Sequence, residues 1–363
     1  MDLEFTNPHQ QENPIQGQIL SSAISVGLDT IRPPYPYKEN EISGKPGDTV
    51  MSAMNIEEAR EEGSILLDEA RELLSERKVA QAFNRLVTGL AEIRAIAGPE
   101  GWKKFSHEDC YNHPVRDQLH QSPFSRRAYE KPRGYAGDAV VLDFAYGCTP
   151  LPEGTTDLGA EIYQCEWSAS SVKSARDRRD ALAAAVDSVA RQTREPRILS
   201  VACGHLREAK ISRAVAENKV GEYFALDHDA VSLSVIDKEF PETGISTVHG
   251  SVKDLIKRKI QFTDLDLVYS AGLYDYLTAP VATALTALMF NMLRPGGRLL
   301  VANCAPESEC IGYMEAFMAW RLIYRDEAEL TALAESIPET QIKSIGAFRD
   351  LHRNMIFLEV IKN

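Results

Sequence analysis

The chain has 363 residues, 44% hydrophobic and 26% charged, which supplies a large packed core and excludes global disorder. Forty Lys and Arg against 53 Asp and Glu leave a net charge of −13, which argues against a general nucleic-acid or anionic-membrane surface. No apolar stretch approaches the roughly 20 residues that cross a bilayer, the start MDLEFTNPHQQENP lacks the features of a secretory signal, and the six cysteines contain no CxxC, so a soluble cytoplasmic protein of two or three units is expected.

Residues 1–50 are polar and broken by Pro33, Pro34, Pro36, Gly44, Pro46 and Gly47, which predicts an irregular arm. Further on, Val79, Phe83, Leu86, Leu90 and Ile93 recur at steps of 4, 3, 4 and 3 and so share one helical face. Gly98 and Pro99 are expected to stop that helix. A second helical region is expected over residues 157–192, and the first half is read as mostly helical.

At Pro196 the texture switches. ILSVA (198–202), EYFALD (222–227), ISTVHG (245–250), DLDLVYSAG (264–272) and RLLVAN (298–303) read as strands. Helical stretches over 206–217, 230–239 and 280–293 separate them, the last leading through the turn Arg294–Gly297. This alternation implies a parallel, doubly wound α/β sheet. The final segment, NMIFLEVIKN, is strand-like without a following helix, which suits an added edge or antiparallel strand.

Ligands of such sheets bind beyond the carboxyl ends of the strands, which directs attention to four turns. Ala202-Cys203-Gly204-His205 combines small residues with the free N–H groups of a following helix. Asp227, at the end of the second strand, can accept hydrogen bonds from both hydroxyls of a ribose, or be an ordinary loop carboxylate. Gly250-Ser251-Val252 could meet a base edge, and Ser270-Ala271-Gly272 follows the fourth strand. Leu206 breaks a full GxGxxG, so a dinucleotide pyrophosphate fits poorly, and the ordered set points to a nucleoside without a long phosphate chain.

SVACGHLRE, ALDHD and LRPGGRLLVAN occur in the order and spacing of the class I S-adenosylmethionine (SAM) methyltransferases, which residues 195–363 resemble. The resemblance implies SAM as cofactor, S-adenosylhomocysteine as product, and a Rossmann-like seven-stranded sheet with the last strand antiparallel. It places Ala202, Cys203, Gly204, Asp227, His228, Gly250, Ser251, Val252, Ser270, Ala271 and Gly272 around the cofactor. Ala202 and Leu206 depart from its pattern by standing in place of glycines.

The segments EKPRGYAGDAVVLDFAYG (130–147), LVYSAGLYDYL (267–277), VAN (301–303) and AFMAWRLIYRDEAEL (316–330) resemble a narrower bacterial subfamily, often labelled 3-hydroxypalmitic acid methyl ester biosynthesis proteins. Together the resemblances imply a helical cap or substrate domain over residues 51–194, set on a SAM-binding domain over 195–363. In the loop PRGYAGD, Arg133, Tyr135 and Asp138 suit a lid or substrate loop, with Asp138 alternatively an N-cap of the next helix. Tyr274 and Asp275 are the catalytic candidates, Asp275 as base, orienting group or cap. Asn303, Tyr313, Tyr324 and Arg325 are the further acceptor-side candidates. Arg325, on an expected helix, could fork onto a carboxylate or pair with Asp326 or Glu329.

Three patterns have plainer readings. His107, Cys110 and His113 lack a second ligand pair and read as packing residues rather than a metal site. Cys203 has no evident partner base. Arg176, Arg178 and Arg179 read as a solvated helix face, from which one arginine could reach the carboxylate of SAM. The expected reaction is O-methylation of a carboxylic acid, such as a hydroxy fatty acid, in a small-molecule acceptor. The alternatives are N-, O- or C-methylation of a specialised metabolite, or a SAM-fold protein that binds without turnover. Neither nucleic acid nor membrane insertion is expected, and the oligomeric state is not legible.

Overall fold

The structure, a computed structural model, describes residues 56–241 and 243–363, so the arm expected over residues 1–50 lies outside them. Helices α1 (Ile56–Ser75) and α2 (Val79–Lys104) form a hairpin. Leu66, Leu67, Ala70 and Leu74 of α1 and Phe83, Leu86 and Leu90 of α2 are buried in one core, as the 3.6-residue period requires. Gly98 and Pro99 kink this second helix without ending it. Gly98 takes φ 65 and ψ 174, and Pro99 then opens the resumed helix where its missing N–H is no loss.

The helical region continues through α3 (Val115–Leu119), α4 (Pro123–Glu130), α5 (Ala139–Tyr146), α6 (Asp157–Ser168) and α7 (Ser170–Gln192). The stretch expected as one helical region over 157–192 is thus two helices. Ala169, extended at ψ 149 within the serine-rich run Ser168–Ser171, separates them.

Strands β1 (Arg197–Val201), β2 (Glu222–Asp227), β3 (Ile245–His249), β4 (Leu265–Ser270), β5 (Leu293–Cys304), β6 (Ile342–Arg349) and β7 (Met355–Lys362) form one seven-stranded sheet in the order β3-β2-β1-β4-β5-β7-β6. The β1–β5 pairings are parallel, and β7 runs antiparallel between β5 and β6. The last strand is therefore antiparallel but interior. The edge belongs to β6, whose mostly exposed residues carry too little apolar pattern to read as a strand in advance. Arg294–Gly297 bulges within β5, because Leu265 pairs with Leu293 while Leu267 pairs with Arg298.

The helical core is not confined to the first half of the chain. After β5, helix α8 (Ile311–Phe317) places Tyr313, Ala316 and Phe317 into the same apolar cluster as α1 and α2. The fit is close: a Cβ at Gly312 would stand 2.8 Å from Leu90 Cβ and 2.9 Å from Leu90 backbone. Both halves of the chain therefore build the layer over the carboxyl ends of the strands.

Candidate active site

At the turn after β1, Ala202, Gly204 and Leu206 all adopt left-handed φ, at 57, 55 and 51. The two residues that replace glycines thus hold the backbone glycine would favour, at a cost of about 1 kcal/mol each. Asp227 ends β2 with 3% of its surface exposed. Its Oδ2 accepts from Gly204 N at 2.8 Å and its Oδ1 from Asp229 N at 2.9 Å. His228 Nδ1 stands 3.3 Å from Oδ1 while most of its ring remains in solvent. The hydrogen bond to Asp227 raises the His228 pKa against the opposing effect of burial.

The loop before α5 lies over this rim. Arg133 Nη1 donates to Asp229 Oδ2 and Ser232 Oγ, each at 2.8 Å. The Tyr135 ring stands between His228 and Tyr276, 5.9 and 6.3 Å between centroids. Burial, with Asp227, Asp138 and Asp229 nearby, pushes the Tyr135 phenol far above its ordinary range. Asp138 is the N-cap of α5, accepting from Val140 N and Val141 N, and pairs with Arg127 at 2.7 Å. It is fully buried and turned into that cap, so of the two readings the structure displays the capping one. A Cβ at Gly137 would lie 2.4 Å from the Trp320 ring, so only glycine lets the loop sit this close.

The next two turns are occupied by local bonds. Ser251 and Asp254 form a capping box on the short helix Val252–Ile256, which commits the Ser251 hydroxyl to Asp254, accepting from its N–H and donating to its carboxylate. Gly250 precedes the cap, and the Val252 side chain is buried in the apolar core. Ser270 Oγ donates to Val201 O at 2.9 Å, tying β4 to β1.

Beyond β4 and β5 lies a cavity that is partly open to solvent. Its wall is mainly apolar, with Phe83, Phe124, Val172, Ile311, Met314 and Met318 among its members. Of the residues expected from sequence, Gly272, Asp275, Tyr313 and Tyr324 line it. Asp275 is buried, with Oδ1 accepting from Cys304 N at 2.7 Å and Asn303 Nδ2 at 3.0 Å. Burial pushes its pKa up, opposed by the Cys304 N–H and by Arg178 and Arg325.

Three acceptor-side expectations are corrected by position. Tyr274 does not face the cavity: its hydroxyl meets Thr286 Oγ1 at 2.9 Å in the sheet core. Arg325 does not fork toward an acceptor, since it donates to Tyr274 O, Leu277 O and Asn303 Oδ1. Asn303, bonded to Asp275 and Arg325, is likewise structural support below the cavity wall. The expected helix at Trp320–Arg325 is an irregular segment, its backbone engaged elsewhere: Ile323 N bonds Asp275 O and Arg325 N bonds Cys304 O. Tyr324 nevertheless reaches the cavity, its hydroxyl donating to Glu315 at 3.2 Å.

The expected solvated arginine face is also different. Arg176 stacks on Trp167 at 4.0 Å, and Arg179 pairs with Asp180. Arg178 is 4% exposed and lines the cavity. It donates through Nη1 to Ala271 O at 2.9 Å, its Nε has no partner, and no carboxylate among the described residues lies within ion-pair distance. Glu166, on the buried face of α6 with Ile162, lines the cavity too and escaped the sequence reading. Its i,i+4 spacing from Ile162 was the available signal, since an acid on an apolar stripe is unusual.

The strand order, with its antiparallel strand inserted beside β5, makes this a Rossmann-like methyltransferase-type α/β fold with a helical N-terminal region. The chain is similar to a possible exported protein from Bordetella parapertussis at 17% identity and a TM-score of 0.53, over 84% of this chain and 96% of that one. It is also similar to magnesium protoporphyrin IX methyltransferase from Synechocystis PCC 6803 with bound SAM, at 12% identity and a TM-score of 0.38, over 53% of this chain and 83% of that one. The N-methyltransferase NodS from Bradyrhizobium japonicum WM9, in complex with S-adenosylhomocysteine, is similar at 14% identity and a TM-score of 0.39, over 52% of this chain and 87% of that one. No family model and no curated protein matches the chain.

Proposed function

We propose that the chain is a SAM-dependent methyltransferase of a small-molecule acceptor and that it converts a carboxylate to its methyl ester, as the subfamily resemblance suggests. The observation that carries the ester reading is Arg178, a buried guanidinium on the cavity wall whose Nε has no partner and which makes no ion pair among the described residues, although Asp275 and Glu166 line the same mainly apolar cavity. Such a group is costly to bury unless an anion joins it, and a carboxylate acceptor supplies that anion.

The donor set fits the cofactor. Asp227 Oδ2 holds one short backbone hydrogen bond, from Gly204 N, and keeps a lone pair for a ribose hydroxyl, while Oδ1 is shared between Asp229 N and His228 Nδ1. The turn 202–204 and residues 270–272 would flank the rest. When bound, SAM supplies an electrophilic methyl group on a sulfonium. The loop carrying Arg133 and Tyr135 covers the rim and excludes water, so access requires that loop to move. Arg178 orients the acceptor, and Asp275 holds the β5 terminus in place through Cys304 N and Asn303. A carboxylate is already ionised at neutral pH, so the chemistry requires no general base.

Incubation of the full chain with SAM and medium-chain fatty acids should release S-adenosylhomocysteine and give a base-labile product one methyl heavier. Absence of SAM and S-adenosylhomocysteine binding by calorimetry would overturn the reading. Asp227→Ala should weaken cofactor binding about tenfold or more, equivalent to about 1.4 kcal/mol.

A further inference from the structure

Glu166 is a carboxyl group with no cation. Ser122 Oγ donates to its Oε2 at 2.5 Å, while the hydroxyls of Ser125 and Tyr313 donate to Oε1, Tyr313 at 3.0 Å. These partners come from three places: the N-cap and first turn of α4, and helix α8 after β5. No Lys, Arg or His among the described residues pairs with Glu166. Its titratable neighbours are Tyr163 and Cys165 on its own helix and Tyr313 opposite, and ionisation of any of them adds negative charge. The residue is 1% exposed and yet forms part of the cavity wall.

We propose that the Glu166, Ser122, Ser125 and Tyr313 cluster is a binding site for a protonated amine, so that the cavity takes a ligand carrying an ammonium group on an apolar body. The reasoning is electrostatic. Hydroxyl donors satisfy the oxygens of a buried carboxylate but leave its charge uncompensated, and a further neutral hydroxyl would do the same. An ammonium supplies both a donor and the missing charge. The apolar wall beside the cluster accommodates the hydrocarbon that such a cation carries. Combined with the methyltransferase reading, on which this extension rests, the acceptor would be an amino-carboxylic acid, its carboxylate on Arg178 and its amine on Glu166. The amine site itself stands without that reading.

The test uses the full chain with hexylamine and, as its neutral match, 1-hexanol, followed by calorimetry. Hexylamine should bind at least tenfold tighter, and Glu166→Gln should remove that preference while leaving hexanol and S-adenosylhomocysteine binding unchanged. A second measurement needs no variant. Burial raises the Glu166 pKa to about 7, so near that pH the carboxyl is about half protonated and hexylamine binding should release about half a proton, read from the dependence of heat on buffer ionisation. Hexanol should release none. Equal affinity for the two probes, a preference that survives in Glu166→Gln, or no proton release would overturn the amine site. Loss of cofactor binding in the unaltered protein would instead strike the methyltransferase reading.

Discussion

Burial, opposed by the hydroxyls of Ser122, Ser125 and Tyr313, places the Glu166 pKa at about 7. A carboxyl raised in the folded state favours folding in its acid form, so its contribution falls as pH climbs from the ordinary glutamate range to about 7, by about 3 kcal/mol in all. Denaturant titrations should therefore show Glu166→Gln gaining on the unaltered chain between about pH 5 and pH 8. Asp143 has the opposite sign. Burial pushes its pKa up, but hydrogen bonds from Arg207 and His205 outweigh that and hold it below the ordinary value. Its contribution is complete above the ordinary aspartate range and is lost as pH falls through the lower folded value. Asp143→Ala leaves Arg207 and His205 short of a buried partner and should cost about 3 to 5 kcal/mol at neutral pH by chemical denaturation, with the difference shrinking in acid. At Ala202 the left-handed φ of 57 makes Ala202→Gly stabilising by up to about 1 kcal/mol, a gain visible as a higher denaturation midpoint.

At the scale of elements, legibility followed periodicity and burial. The α2 stripe from Val79 to Ile93 and the apolar runs of β1, β2 and β4 had strong local patterns, and each forms its expected element. The turns after these strands were placed by the doubly wound topology itself, since the carboxyl ends of parallel strands share one rim. What was not legible depends on partners remote in sequence. Trp320–Arg325 looked helical, but its backbone is captured by Asp275 and Cys304. Arg178 looked solvated within a basic cluster, but α7 is covered by the chain around Tyr146 and Ala271. Tyr274 follows β4 directly, yet the 3-10 turn at Tyr274–Tyr276 swings its ring beneath the helix Ala279–Asn291. Tyr274→Phe should therefore lose only about 1 kcal/mol of stability, for one buried hydrogen bond, and leave the proposed methyl transfer at its unaltered rate. A large fall in kcat with unchanged stability would contradict that placement.

Across the whole molecule, the cavity belongs to neither half of the chain alone. Phe83, Phe124 and Glu166 come from the helical region, Gly272 and Asp275 from the turn after β4, Cys304 from the end of β5, and Tyr313, Met314 and Trp320 from the segment after β5. Polar ties hold the layers in register: Asp143 to Arg207 and His205, Arg133 to Asp229, and Trp102 Nε1 to Glu315 at 2.5 Å. The charged residues of the cavity wall are one arginine, Arg178, and two acids, Asp275 and Glu166. The close seat of Gly312 on Leu90 has a consequence for descent and for engineering. Stretches more than 200 residues apart must change together for the pocket to be reshaped, since a larger side chain at either position pries the two helices apart. A chimaera that imports a foreign helical half would inherit a roof cut for a different wall.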